Sequence, residues 1–303
     1  MISFRQLQCL VSLTETLHFR RAAERLHLSQ PALSAQIAQL EEHLGAMLVE
    51  RTRRKVLLTP LGREVSARAR RILRDVTELE DLAHKAREPL SGTLRVGVLR
   101  TLGPYLLPHI LPELRRRHPD LKLYLREEPR ERLLAELALG DLDMLLISAA
   151  PTEDEHLTVT ALFHEPLWLT LPLGHPLAGR DSIDPADLAG ERLIMLEVGD
   201  GLRDPAQALC RESGAMEHPD FTATSLDTLR QMVATGLGTT LLPALYVLAE
   251  ALADDQIAVR PFAEVAPSRP IDMVWRRTTT RSEEYRLFAR LIAQSLPPVV
   301  TAR

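Results

Sequence analysis

Cysteine is nearly missing from this sequence: Cys9 and Cys210 are the only two in 303 residues. Two thiols cannot staple a disulfide scaffold or fill a four-cysteine zinc site, and usage this sparse suits a reducing compartment. Long apolar runs are missing as well. The start, MISFRQLQCLVSL, places Arg5, Gln6 and Gln8 where a secretory signal needs unbroken apolar residues. The longest nearly apolar stretch, residues 241–252, is interrupted by Glu250 and is too short for a bilayer. The expectation is a cytoplasmic protein. Enzyme signatures are also lacking. There is no GxSxG elbow, P-loop or HExxH helix, and His164-Glu165 continues into Pro-Leu-Trp without a second histidine. Gly236-Leu-Gly238 is only a fragment of a dinucleotide fingerprint, and the ten histidines have no ligand spacing. The chain is therefore expected not to be an enzyme, with no catalytic residue, cofactor or metal.

What is present is an ordinary globular mix, 45% hydrophobic and 26% charged, suited in length to two or three domains. The net charge of −4 argues on its face against a nucleic-acid binder. Its distribution argues the other way. Residues 1–74 carry 13 basic and 6 acidic side chains, a net of +7, which leaves −11 on the remainder. A basic head on an acidic body is the electrostatic pattern of a DNA-binding domain joined to a second module.

The head reads as three short helices. Phe4, Leu7, Leu10, Val11 and Thr14 repeat at helical spacing after a capping Ser3. Phe19, Ala22, Ala23 and Leu26 give a compact second helix whose alanines permit close approach. After His27-Leu28, Ser29 caps a third helix with Pro31 in its first turn, buried through Leu33, Ile37, Leu40 and Leu44 and ended by Gly45. This is a helix-turn-helix pattern, and its last helix would enter the major groove by its N-terminal part. Ser29, Gln30, Ser34 and Gln36 can meet base edges or phosphates, and Pro31 and Ala35 can meet thymine methyls. An ordinary surface helix would show Lys and Glu here, yet residues 29–36 carry no charge. Next, residues 49–58 read as a β-hairpin wing whose cations Arg51, Arg53, Arg54 and Lys55 suit phosphates or a narrow minor groove. Thr59 and Pro60 then open a helix of about 28 residues in which Val65, Ile72, Val76, Leu79, Ala83 and Ala86 approximate a heptad seam. Such a seam predicts a homodimer, which fits two half-sites of a dyad-symmetric double-stranded DNA site.

The run RRAAERLHLSQPALSAQIAQLEEHLGAMLVERTRRKVLLTPLGRE resembles the head of a LysR-type transcriptional regulator. The Ser-Gln-Pro-Ala-Leu-Ser, Leu-Val-Glu-Arg and Thr-Pro-Leu-Gly elements carry the likeness. Further segments, GPYLLPHILPEL, DLAGERLIMLEVGDGLRD and FTATSLDTLRQMVATGLG, resemble the peroxide-sensing OxyR subgroup. The resemblance implies a winged helix-turn-helix DNA-binding domain over 1–58 and a linker and dimerisation helix over 59–88. It also implies an α/β effector-binding regulatory domain like periplasmic binding proteins over 92–303. That domain would divide into subdomain I (92–164 and 268–303) and subdomain II (165–267). A dimer of dimers, with effector occupancy altering DNA bending and RNA polymerase access, is implied too.

The body fits an α/β reading independently. Strand-like runs such as TLRVGVL, KLYLREE, DMLLIS, LTVTALF, PLWLTLP, RLIMLEV, FTATS and PIDMVWR alternate with helices starting near Pro104, Arg130, Pro185, Asp204, Leu226, Ala244 and Ser282. Largely parallel sheets are expected, with a ligand cleft at their carboxyl ends. Thr101, before the helix at Gly103-Pro104, and Thr224-Ser225, before the helix at Leu226, are candidate effector contacts; a simple capping role is the alternative.

The resemblance also implies two sensing cysteines nine apart around Leu-Arg-Asp. Here Arg203 and Asp204 match and Cys210 stands at the second cysteine, but the first is Gly201 and the usual histidine before it is Asp200. A family threonine across the cleft falls on Arg130, a cation that would favour a carboxylate unless Asp200 pairs with it. Glycine offers no thiolate to attack peroxide, and Cys9 reads as a small buried hydrophobe. The main expectation is an effector-responsive regulator with Thr101, Arg130, Asp200, Gly201, Arg203, Thr224 and Ser225 at its site. Redox sensing through Cys210 alone, or a cysteine peroxidase, are the alternatives.

Overall fold

The structure is a computed structural model that describes residues 2–51, 56–85, 90–197, 199, 201–264 and 266–302, without the side chains of 51, 78–85, 301 and 302. The chain falls into two compact units, a head of residues 1–88 and 139–141 and a body of residues 89–138 and 142–303.

In the head, α1 (Phe4–Thr16) starts at a capping box in which Ser3 and Gln6 each satisfy the other's backbone N–H. His18 caps α2 (Phe19–Arg25), and Ser29 caps α3 (Gln30–Leu44), which stops at Gly45 with φ of +63°. Strands β1 (Val49–Arg51) and β2 (Val56–Leu58) pair antiparallel, Val49 facing Leu58. Leu10, Leu13, Ala22, Ala23, Leu33, Ile37, Leu40 and Leu48 form one core, in which the alanines let α2 lie close. Leu44 is 38% exposed and does not join it, because Gly45 ends the helix before another turn can cover that side chain. The helix α4 (Pro60–Lys85) begins at Thr59, whose hydroxyl accepts the Gly62 N–H at 2.9 Å. Gly62 is required there, since a Cβ would lie 2.0 Å from the Leu48 carbonyl oxygen. Along the seam Ile72 is 47% exposed in the single chain, while Leu79, Ala83 and Ala86 lie outside the described side chains.

The body runs through β3 (Gly92–Val98), α5 (Gly103–Arg117), β4 (Leu121–Glu127), α6 (Arg130–Leu139), β5 (Met144–Ser148) and β6 (Leu157–Pro172). It continues with β7 (Arg192–Leu196), α7 (Arg203–Ser213), β8 (Met216–Ala223), α8 (Leu226–Ala234), β9 (Thr240–Pro243) and α9 (Ala244–Ala249). Last come β10 (Ile257–Arg260), β11 (Ser268–Arg276), α10 (Ser282–Ser295) and β12 (Thr301–Ala302). Eight strands form one sheet along β10-β6-β11-β5-β3-β4, with β9 and β12 also on β6, and β7 pairs with β8 apart from it. One core surrounds Val96, Leu106, Phe163, Met273, Trp275 and Phe288, and a second surrounds Leu169, Ile194, Leu226, Val233, Leu242 and Tyr246.

The sheets are less parallel than the βα alternation suggests. Among the described strands, β3–β4, β3–β5 and β7–β8 are the ladders that pair parallel, whereas β11 and β6 return antiparallel through the middle of the large sheet. The two runs expected at 157–163 and 166–172 are one strand. Pro166 lies where β6 leaves the β11 ladder and takes up β9 and β10, a ladder end where a missing N–H is tolerated. The element at Pro185–Leu188 is a single 3-10 turn. The strand read from Phe221 already starts at Met216. Among the described residues no helix is long and apolar enough to cross a membrane.

Candidate functional site

Two regions gather the candidate residues. In the head, Leu33, Ile37 and Leu40 turn inward, which leaves Gln30, Pro31 and Ala35 exposed and Ser34 and Gln36 half-buried on the other side of α3. The Ser29 hydroxyl accepts the Ala32 N–H at 3.3 Å, so it is engaged as a cap. The result is an uncharged outer face at the start of α3. Arg53, Arg54 and Lys55, with the side chain of Arg51, lie outside the described residues.

In the body, the chain leaves β3, β4 and β5 at neighbouring points, bringing Thr101, Arg130 and Ser148 to the carboxyl edge of the sheet. Thr101 is 3% exposed, and its hydroxyl accepts from Arg269 Nη1 at 2.7 Å while its carbonyl accepts from Nη2 at 2.9 Å. Arg269 in turn donates through Nε to Glu165 Oε2 at 2.8 Å, and Glu165 Oε1 accepts the Leu245 N–H at 3.0 Å. Both charged side chains are wholly buried. A carboxylate and a guanidinium survive there because each is paired and hydrogen-bonded. In the sequence Glu165 drew notice only as part of His164-Glu165 and Arg269 drew none, although each is a charge beside an apolar strand run.

Arg130 opens α6. Its backbone N–H donates to the Gly199 carbonyl at 3.4 Å, and its guanidinium donates to the Ala149 carbonyl at 3.2 Å and to Glu131 Oε1 at 3.1 and 3.3 Å. The loop before α7 therefore meets the sheet edge. Gly201 sits there at φ of +70°, and a Cβ on it would stand 2.3 Å from Ser148 Oγ and 2.4 Å from Ser148 Cβ. Ser148 occupies the space that any side chain at 201 would need. Asp200 lies outside the described residues.

The remaining candidates are held by contacts of their own. Arg203 donates to the Leu196 carbonyl at 3.1 Å and pairs with Glu217. Ser225 caps α8 by accepting the Thr228 N–H at 3.2 Å, and Thr224 is exposed beside it. Cys210 lies half-buried on α7 against the second core. Burial pushes its thiol up from the ordinary range, Glu217 adds to the rise, and Arg211 opposes it. Cys9 is fully buried and its thiol is raised by burial as well, partly offset by Arg5.

Comparison with known proteins finds relatives of both the head and the body. Residues 4–63 match the profile of bacterial regulatory helix-turn-helix proteins of the LysR family, and residues 87–297 match the LysR substrate binding domain. The chain belongs to the LysR family. Family membership makes it a DNA-binding transcriptional regulator and implies oligomerisation, and its relatives make it OxyR-like. It is 46% identical over 291 residues to the DNA-binding transcriptional dual regulator OxyR of Escherichia coli K12, covering 96% of this chain and 95% of that protein. It is 38% identical over 285 residues to the HTH-type transcriptional regulator EstR of Acinetobacter baylyi, covering 93% of each. A full-length OxyR from Pseudomonas aeruginosa, with one cysteine replaced by aspartate, superposes with a TM-score of 0.76 at 34% identity, covering 100% of this chain and 98% of that one. The LysR fold thus accounts for the winged head and for the α/β body with its two cores.

Proposed function

We propose that this LysR-family regulator answers to a small effector held at the carboxyl edge of its sheet, and not to peroxide through a pair of thiols. The contact between Gly201 and Ser148 carries this reading. The position where a sensing thiol would sit has no side chain and no room for one. The raised Cys210 thiol adds support, since a thiol held protonated is a weak nucleophile. Thr101, Arg130, Asp200, Gly201, Arg203, Thr224 and Ser225 are the proposed effector-site residues. Arg130 is the one that would meet a carboxylate. Its pairing with Glu131 is exposed and so costs little to exchange.

In this proposal Gln30, Pro31, Ser34 and Gln36 read base edges, while Ser29, Arg51, Arg53, Arg54 and Lys55 hold the backbone of a dyad-symmetric site. The helix over 59–88 joins two copies, pairs of dimers bend the DNA, and effector occupancy shifts the populations of bodies that present the site to RNA polymerase. The domain division at 58 and 88, the cytoplasmic location and the absence of enzymatic turnover belong to the same reading. The test is promoter footprinting by purified protein with and without hydrogen peroxide, alongside thiol titration. The expected outcome is an unchanged footprint with both thiols free and no steady consumption of peroxide. A peroxide-dependent footprint that disappears in Cys210→Ser would overturn it.

A further inference from the structure

Glu41 is a buried carboxylate in the head that neither the DNA face nor the effector site uses. It lies on α3, one position beyond the core residue Leu40, and is 8% exposed. Its Oε1 accepts the backbone N–H of Leu48 at 2.8 Å and that of Val49 at 3.0 Å. Leu48 and Val49 are themselves completely buried, and Val49 opens β1. Without Glu41, two buried N–H groups would lose their acceptor, and an unmet buried donor is far more costly than a neutral replacement of both partners. The same Leu48 peptide is gripped from its other end. Its carbonyl accepts the Thr59 N–H at 3.0 Å, and Gly62 leaves the space through which α4 approaches it. One peptide unit therefore ties the helix facing the groove, the first strand of the wing and the start of the linker helix, and the Glu41 carboxylate holds its amide side.

We propose that Glu41 is the positioning residue that fixes the β1–β2 pair relative to α3, so that the cations of residues 51–55 reach DNA phosphates while α3 reads the major groove. This rests on the reading of residues 51–55 as DNA contacts. The experiment is a double-mutant cycle of Glu41→Leu with Arg53→Ala in the full-length protein. Promoter affinity is measured across salt concentrations and hydroxyl-radical footprints are recorded. Glu41→Leu is expected to weaken binding roughly tenfold and flatten the salt dependence, as lost phosphate contacts do. It should also erase backbone protection at the wing and keep protection in the major groove. Arg53→Ala should then add little. Glu41→Gln, which retains an oxygen acceptor, should restore most of the affinity and the salt slope, and it reports even where the leucine variant fails to fold. A folded Glu41→Leu protein with the normal salt slope and wing footprint would overturn the proposal, as would a Gln variant as impaired as the Leu variant. If Arg53→Ala alone leaves affinity and slope unchanged, the reading of the wing contacts fails instead, and the two failures are distinct.

Discussion

Gly201 rests its Cα against the side chain of Ser148 at the end of β5, where a Cβ would come within 2.3 Å of the serine hydroxyl oxygen. The missing thiol is thus part of a packed contact and not a lone substitution in an open site. Restoring it has a calculable cost. Gly201→Cys forces an L side chain into positive φ, worth about 1–3 kcal/mol, and overpacks Ser148, worth a further ~1–3 kcal/mol. Urea denaturation of the variant should show that loss, and peroxide should not join the introduced thiol to Cys210. Adding Ser148→Gly should return part of the stability. A Gly201→Cys protein as stable as the parent that oxidises cleanly would refute the contact.

Cys210 should alkylate slowly at neutral pH. Burial and Glu217 hold its thiol above the usual 9.0, so the rate of reaction with iodoacetamide should rise with an inflection above that value. Glu217→Gln removes a carboxylate that raises the thiol, so the inflection should fall. The linked stability follows the same sign. A thiol kept protonated in the fold contributes below its unfolded pKa, and that contribution is lost as pH rises through the raised folded value. An inflection below the ordinary range would restore Cys210 as a candidate sensor.

DNA binding should fall steeply with salt. Arg53→Ala should lower the slope of log affinity against log salt by about 0.9, the loss of one phosphate contact. Ser34→Ala should weaken binding at every salt concentration while leaving the slope alone. Gel shifts at several ionic strengths read both, and unchanged affinity in either variant removes that residue from the interface.

The buried Glu165–Arg269 pair should behave as a structural strut that holds Thr101 at the proposed effector site. Arg269→Met leaves Glu165 as an unpaired buried charge and should destabilise the body by ~3–5 kcal/mol. Thr101→Val removes one acceptor from the guanidinium and should cost about 1–3 kcal/mol. Calorimetry with an identified effector separates support from contact. If Thr101→Val abolishes effector binding at undiminished stability, Thr101 is a ligand group and not a strut.

Much of the head was legible in the sequence because caps are local. Ser3, Ser29, Thr59 and Gly45 each act within about one turn, so side-chain type and spacing suffice to place helix ends. Glu41 was not legible for the opposite reason. Its partners lie seven and eight residues on, across a loop, and a glutamate on a helix ordinarily reads as solvated. In the body the alternation of strands and helices was visible, but strand direction was not. Whether β6 and β11 run with or against their neighbours depends on pairings over 100 residues apart. The Gly201 substitution could be read from the chain, and the reason it is locked in place could not. Ser148 belongs to another strand, and only the fold brings the two together.

The unbroken course of β6 from Leu157 to Pro172 has a consequence for how the body is joined. Its first half is laced to β11 and its second half to β9 and β10, so the two cores of the body share one strand. The ladder between β6 and β11 is irregular at one point, where Ile271 faces Phe163 and Asp272 faces Ala161, so that Leu162 of β6 is the extra residue. That connection between the two cores is a ladder of backbone bonds, which side-chain substitutions at the proposed effector site leave in place.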